Sequence, residues 1–108
     1  MADRDVDLNS FLDRAIGDLG AAMSAVLVCI GDELGFYREL AHGPLNAHEL
    51  AMRTGTAERC VREWLANQAA GGYVEFEPAF DRYSLSAAQA ACLTGPGGNY
   101  DLTGAYHV

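Results

Sequence analysis

The sequence contains no lysine: its seven basic residues are all arginine, and they face 15 Asp and Glu residues for a formal net charge of −8 at pH 7. Strong nonspecific binding to nucleic acid or to an anionic membrane depends on positive charge on the protein. An acidic domain of this kind is a poor candidate for either. We therefore expect neither nucleic acid nor a membrane among its partners.

Cysteine is scarce as well. Three cysteines are present, Cys29, Cys60 and Cys92, and they stand far apart in the chain with no CxxC pair. An odd number at such spacing does not fit a disulfide framework, and no Cys or His pair is close enough to begin a zinc site. We expect three reduced, mostly buried thiols in a reducing cytoplasm and no metal site.

A long hydrophobic run is also missing. The longest near-apolar stretch is Ala21 to Ile30, interrupted by Ser24, and a membrane helix needs about 20 residues. The N-terminal sequence is acidic and has no apolar region behind a basic start, which does not fit a secretory signal. These features predict a cytoplasmic protein, and the richness in Ala, Gly and Arg suits a GC-rich bacterial genome.

The chain has 108 residues, half of them apolar, which is globular composition for one domain. A nucleotide-binding α/β domain would need most of this length, and no alternation of strands and helices is visible. We therefore expect no catalytic residue and no cofactor site in this chain. Any chemistry would belong to residues outside it.

Residues 7 to 34 carry apolar side chains at helical spacing. Gly17, Gly20 and Gly31 weaken this helix by up to about 1 kcal/mol each relative to alanine, so Gly20 and Gly31 are candidate break points. The middle of the segment is apolar nearly all round, and such a helix must be covered on several sides. One small domain can hardly cover it alone, which implies a partner subunit or a partner domain.

Shorter elements follow. A short helical segment spans residues 35 to 41, and Asn46 with Glu49 forms a predicted capping box for a helix that ends before Gly55. Thr56 is the predicted cap of the next helix, residues 57 to 70, which buries Val61, Trp64, Leu65 and Gln68 or Ala69.

A hairpin and one more helix complete the pattern. Residues 73 to 77 and 82 to 85 alternate like paired strands, and Ser86 with Gln89 predicts a second capping box for a helix to about Leu93. The order helix, tight turn, helix, Gly-Gly and two-stranded wing predicts a mainly α domain: a winged helix-turn-helix preceded by a long N-terminal helix or helices.

Winged helices often bind DNA, and this alternative depends on charge. The second helix of the pair carries Arg59 and Arg62, balanced by Glu58 and Glu63, while the hairpin is acidic apart from Arg82. A stand-alone regulator with Arg59 and Arg62 approaching DNA remains an alternative, although neutralising several phosphates is what normally provides affinity. A protein-interaction module without nucleic acid is a third possibility.

Three stretches carry a family resemblance: LGFYRELAHGPLNAHELAMRTG, RCVREWLANQAAGGYVEF and the wing strand RYSLS with its Ala-rich helix. Over about residues 31 to 95 the chain resembles the N-terminal winged-helix domain of bacterial class I S-adenosylmethionine-dependent methyltransferases. It is more distantly similar to the dimerisation domain of small-molecule O-methyltransferases.

The resemblance implies a homodimer, a C-terminal catalytic domain as partner, and a role in dimerisation and in roofing the substrate pocket. It implies a winged-helix domain over residues 1–95, with residues 96–108 as the start of a linker. S-adenosylmethionine is implied for the full-length protein, with no cofactor residue carried by this chain. The loop Gly95-Pro96-Gly97-Gly98 follows a helix rather than a strand, so it does not fit a cofactor loop.

Two residue sets follow from combining the resemblance with the helical pattern. The proposed intersubunit contact lies on the first helix and comprises Leu12, Ile16, Leu19, Met23, Val26 and Ile30. The proposed substrate-cavity residues are Phe11, Phe36 and Tyr37, since the family's N-terminal helices help to roof the active site.

Overall fold

The computed structural model describes residues 2–94, with side chains from residue 7 onward. The predicted tail interpretation, a linker from residue 96, lies outside the described residues. Five helices and two strands follow one another as α1 (Ala2–Leu34), α2 (Phe36–Ala41), α3 (Ala47–Thr54), α4 (Glu58–Ala70), β1 (Glu75–Glu77), β2 (Arg82–Ser84) and α5 (Ala87–Leu93). The predicted fold class, a mainly helical winged helix-turn-helix, is confirmed.

Helix α1 runs unbroken through both candidate break points. Glycine is required at position 31 because there is no room for a side chain: an added Cβ would collide with the Trp64 ring and lie 3.0 Å from the Tyr37 ring. Gly31 therefore lets α4 approach α1 closely.

By length and composition, the segment Asp7–Leu34 is also able to cross a membrane. The longest near-apolar run, Ala21 to Ile30, is too short for a membrane helix. The mean hydropathy of the longer segment is nevertheless high, because an average tolerates the glycines and isolated charges that interrupt such a run.

The helix-turn-helix consists of α3 and α4. The predicted capping box at the start of α3 is confirmed: Glu49 N–H donates to Asn46 Oδ1 at 2.8 Å, and Asn46 N–H donates to Glu49 Oε1 at 2.9 Å. Gly55 ends α3 in the left-handed region with φ 66°, where a side chain would be strained.

The predicted cap of α4 is wrong. Its N-cap is Ala57, which has no side-chain cap. The Thr56 hydroxyl instead shares a 2.8 Å hydrogen bond with the Thr54 hydroxyl, while Thr56 N–H donates to Ala51 O. The hydroxyl of Thr56, which was expected to cap the start of α4, therefore stabilises the end of α3 instead.

The wing is an antiparallel pair in which Phe76 faces Tyr83, with ring centroids 4.7 Å apart. Both strands are shorter than predicted, because only the positions nearest the connecting turn pair, Glu75–Glu77 with Arg82–Ser84. Tyr83 also exchanges two backbone hydrogen bonds, of 2.8 and 2.9 Å, with Leu45. This bridge fixes the wing to the segment that leads into α3.

The capping box predicted for α5 is confirmed, since Ser86 and Gln89 bond reciprocally. The Gln89 amide also donates to Gly72 O and to Glu75 Oε1, each at 2.9 Å. One side chain therefore joins α5, the Gly-Gly turn and the first wing strand.

The core sits where α2, α3 and α4 meet the C-terminal end of α1, with α5 closing one side. Its buried apolar members are Val28, Phe36, Tyr37, Leu40, Leu45, Ala47, Leu50, Ala51, Val61, Trp64, Leu65, Val74 and Leu93. Gln68 is the buried polar side chain among the described residues. The Tyr37 hydroxyl donates to Gln68 Oε1, so the amide oxygen inside the core is satisfied.

The cysteines are less buried than predicted. Cys60 is exposed, while Cys29 and Cys92 are half-buried. Cys60 directly precedes the buried Val61 in α4, and a one-residue step along a helix turns a side chain by about 100°.

Candidate functional site

The most prominent feature of the surface is the N-terminal part of α1, residues 7–23, which we call the arm. Every described side chain of the arm is exposed. The first residue of α1 to be fully buried is Val28. The arm thus extends away from the body, which we define as residues 35–93, and it takes no part in the core.

The six residues predicted to form an intersubunit contact share one face of α1, which we call the stripe. All six are substantially exposed: Leu12 46%, Ile16 66%, Leu19 65%, Met23 55%, Val26 54% and Ile30 38%. Monomeric proteins seldom expose a continuous apolar surface of this kind, which typically marks an interaction site. The stripe as a dimer contact stays a prediction.

The stripe leads into an apolar groove of about 370 Å³ between the end of α1 and α4. Its lining residues are Leu27, Ile30, Leu34, Phe36, Thr56, Arg59, Cys60, Glu63 and Trp64. The floor is aromatic and aliphatic, whereas Arg59 and Glu63 supply charge. A groove of this composition suits an apolar side chain or a small apolar molecule.

Trp64 forms the base of this groove. Its indole N–H donates to the Leu27 carbonyl at 2.8 Å, across a helix–helix contact. Phe36 and Tyr37 meet its ring edge-on, with centroid distances of 4.8 and 5.1 Å. Gly31 packs directly against it. The indole is therefore the hub that holds α1, α2 and α4 together.

Sequence reasoning placed Trp64 in the core but missed this hydrogen bond and the role of Gly31. Neither has a local signal, because Leu27 and Trp64 are 37 residues apart. The one available clue was a glycine within a strongly apolar helix, which indicates close approach of another element as readily as a break.

Phe36 and Tyr37 meet at the Trp64 ring, but the three predicted substrate-cavity residues do not line one cavity. Phe36 lines the groove. Tyr37 is fully buried, with its hydroxyl on Gln68. Phe11 is 67% exposed on the arm. Phe36 is thus the member of the set that lines this groove, and the cavity role of all three stays a prediction.

The two arginines of the DNA-binding alternative are both exposed on α4. Arg62 Nη2 lies 3.7 Å from Glu58 Oε1, and His48 Nδ1 lies 3.2 Å from the same carboxylate oxygen. Arg59 has no ion-pair partner within the described part of the chain and lies at the groove. The outer face of α4 therefore presents paired charges rather than a basic surface for phosphates.

The wing carries little free positive charge either. The Arg82 guanidinium contacts the Glu49 carboxylate. The Asn46 backbone N–H, and then Arg82, hold the pKa of Glu49 below its ordinary value. The basic residue of the wing is thus committed to joining the wing to the start of α3.

Among the described residues, no group of three or more His, Cys, Asp or Glu side chains is placed to hold a metal ion. The loop at Gly95–Gly98, judged unsuitable for a cofactor, lies outside the described residues. The candidate functional surface of this chain therefore consists of the stripe and the groove that continues it.

Residues 22–95 match the model of a family described as the Rv2258c-like winged helix-turn-helix domain. A comparison with curated proteins gives no match. Among solved structures, the chain is similar to the mitomycin 7-O-methyltransferase MmcR, with 26% identity and a TM-score of 0.72 over 86% of this chain and 28% of that chain.

Two further structures show the same relation. CalO1, a methyltransferase in calicheamicin biosynthesis in its SAH-bound form, gives 26% identity and a TM-score of 0.66 over 78% of this chain and 24% of that chain. PigF with SAH gives 20% identity and a TM-score of 0.77 over 88% and 27%, a likeness of fold. The chain spans between 24% and 28% of the length of these three proteins.

Proposed function

The chain belongs to the Rv2258c-like winged helix-turn-helix family, and from that premise we propose that it is the dimerisation and substrate-capping domain of an S-adenosylmethionine-dependent methyltransferase. Methyl transfer would belong to a catalytic domain beyond this chain. The proposal divides the sequence into a winged-helix domain, residues 1–95, and the start of a linker, residues 96–108.

The exposed stripe on α1 carries this proposal. Burying a Leu, Ile, Val or Met side chain contributes about 1.5–3 kcal/mol relative to leaving it exposed. Six such residues lie on one face of a helix, and each stays 38–66% exposed within the described chain, so part of that burial is still to be gained. A second copy that covers the stripe would supply it.

The similar structures support the methyltransferase part. MmcR and CalO1 are named as methyltransferases, and CalO1 was solved with SAH. S-adenosylmethionine would therefore be the cofactor of the full-length protein, bound outside this chain. For substrate capping, the proposal retains Phe36 at the groove, with Phe11 and Tyr37 as the weaker members of that set.

The dimer is tested by light scattering of the purified chain over a range of concentrations. We expect a dimer for the natural sequence and a monomer for the double variant Ile16→Glu with Met23→Glu. Met52→Glu is the matched control, because Met52 is 71% exposed on α3 and away from the stripe. A natural chain that stays monomeric at every concentration would rule out the dimerisation role.

The methyltransferase part is tested on the longer reading frame. It should continue with a strand, a Gly-rich loop and an acidic residue about twenty positions further on. Calorimetric titration of that product with S-adenosylmethionine should show binding. Fractionation of cells that produce it tests the cytoplasmic location that the proposal also includes.

A further inference from the structure

The spacing within the stripe is regular. Its members follow at intervals of four, three, four, three and four residues: Leu12, Ile16, Leu19, Met23, Val26 and Ile30. This is the alternation of the a and d positions of a heptad, with Ile16, Met23 and Ile30 at a and the other three at d. Such a pattern predicts a two-helix coiled coil rather than a general apolar surface.

We propose that α1 pairs antiparallel with α1 of a second copy, about a two-fold axis at the level of Ala21. The inference rests on the proposed dimerisation role and specifies its geometry. Leu12 then meets the partner's Ile30, Ile16 meets the partner's Val26, and Leu19 meets the partner's Met23. Each contact joins an a position to a d position, as antiparallel coiled coils require, and the stripe is symmetric about that level.

The glycines of the arm support this axis. A Cβ added at Gly17 or Gly20 would meet no described atom within 4 Å, whereas Gly31 is fully explained by Trp64. Glycine inside a helix costs about 0.5–1 kcal/mol relative to alanine. Gly20 and Ala22 flank the stripe on either side of the proposed axis, where small residues allow two helices to approach closely.

Charge favours antiparallel over parallel pairing. Asp7, Asp13 and Asp18 lie in the N-terminal half of α1, accompanied by Arg14. A parallel pair would set the two copies of Asp13, which follows Leu12 at an e position beside the seam, at the same level, whereas Asp7 and Asp18 fall at outer f and c positions. The antiparallel pair separates the two Asp13 side chains by about 24 Å along the axis at 1.5 Å per residue, which exceeds the Debye length of about 8 Å in physiological salt.

The same arrangement carries the acidic end of one arm towards the groove at the other end of the partner's α1, where Arg59 lies and where α1 itself ends with Asp32 and Glu33. Arg38, near the end of α1, is already paired with Asp32 of the same chain. Arg59 at the groove has no ion-pair partner among the residues described. The groove itself continues the stripe beyond Ile30, so the pair has an apolar surface into which the exposed N-terminal residues of the arm, such as Leu8, can extend.

A membrane would be the competing cover for an apolar helix of this length. Arg14 and Asp18 lie within the arm, and a charged residue at the centre of a membrane helix costs about 2.5–3.5 kcal/mol. The heptad spacing also confines the large apolar residues of the arm mainly to one side, which suits one helical partner better than lipid on all sides.

Cysteine crosslinking tests the orientation. In a background in which Cys29, Cys60 and Cys92 are serine, the double variant Leu12→Cys with Ile30→Cys should form intermolecular disulfides under mild oxidation. Leu12→Cys alone should not, because the two copies of residue 12 would be about 27 Å apart along the axis. Disulfide formation by the single variant, at a rate equal to or above that of the double variant, would overturn the proposal.

The serine background must remain dimeric by light scattering and retain its helical circular dichroism. If the natural chain is a dimer but crosslinks as a parallel pair, the dimerisation role stands and the antiparallel geometry fails. If it is monomeric and sediments with phosphatidylglycerol–phosphatidylcholine vesicles, both fail and a membrane covers the stripe.

A second variant tests the axis independently. Gly20→Leu places a large side chain beside the axis and should raise the dimer Kd at least tenfold. Gly17→Leu is the matched control: its position is equally open in the described chain but faces away from the stripe, so it should leave the Kd within about threefold. An unchanged Kd for Gly20→Leu would contradict close approach at this level.

Discussion

The arm and the body present similar apolar side chains in opposite circumstances. In the body, Leu50, Val61 and Leu65 have no measurable exposure, whereas Ile16 and Leu19 on the arm are about two-thirds exposed. The body resembles a finished small domain, and the arm resembles half of an interface. Apolar periodicity alone therefore marks a face that will be covered, without saying whether the same chain covers it.

The largest expected contrast comes from shortening one leucine in each region. Leu65→Ala should lower the free energy of unfolding by about 2–5 kcal/mol, because it leaves a cavity in a packed core. Leu19→Ala should change it by no more than about 0.5 kcal/mol at concentrations where the chain is monomeric. Urea unfolding followed by circular dichroism measures both, and equal losses would show that the arm belongs to the core.

The glycines provide the next contrast. Gly31→Ala should lower the free energy of unfolding by about 1–3 kcal/mol, since the new methyl group must displace the Trp64 ring. Gly20→Ala should raise the stability of α1 by about 0.5–1 kcal/mol in the monomer, because alanine favours the helix and meets open space. Thermal unfolding of the two variants side by side would decide; a stabilised Gly31→Ala would refute the close packing.

A smaller effect concerns pH and lies within the body. Glu49 has its folded pKa lowered from 4.5 by the Asn46 N–H and by Arg82. Its favourable contribution is therefore complete above the unfolded pKa, and it is lost as the pH falls through the folded value. Glu49→Gln should be less stable than the natural chain at pH 7, and the difference should shrink below pH 4.5.

Glu63→Gln removes the same charge from α4 without touching Asn46 or Arg82, and it serves as the control in the same thermal unfolding series. A difference between the natural chain and Glu49→Gln that stays constant from pH 7 to pH 3 would contradict the assigned contacts.

The smallest effect is expected from removing the arm up to residue 21. A chain that starts at residue 22, where the family match begins, keeps Val28, Gly31 and the whole body. Its free energy of unfolding should stay within about 0.5 kcal/mol of that of the monomeric full chain, while its tendency to associate is lost. A collapse of the unfolding transition in this shortened chain would show that arm and body are one cooperative unit.

Much of the body could be predicted from the sequence because its signals are local. Two capping boxes, Asn46 with Glu49 and Ser86 with Gln89, each mark the start of a helix within four residues of sequence. Gly55 marks the end of α3. The predicted cap at Thr56 was wrong because a hydroxyl between two helices can bond either to the start of the second helix or to the end of the first. Only the folded turn decides between these two partners. Local chemistry thus located most helix ends to within one or two residues.

The groove could not be predicted in the same way. It depends on Trp64 reaching the Leu27 carbonyl and on Gly31 making room for the indole, and these residues meet only in the folded chain. The stripe was predictable as a set of residues from its helical spacing. The apolar circumference of residues 21 to 30 also indicated that the domain could not cover this helix alone, whereas the complete exposure of residues 7–23 had no local signal.

Trp64 is the single tryptophan of the sequence, and it sits where α1 joins the body. Its fluorescence therefore reports on that junction without any added label. An apolar molecule or a partner's side chain that enters the groove would change the polarity around the indole and shift its emission. The chain thus carries its own optical sensor for occupancy of the groove.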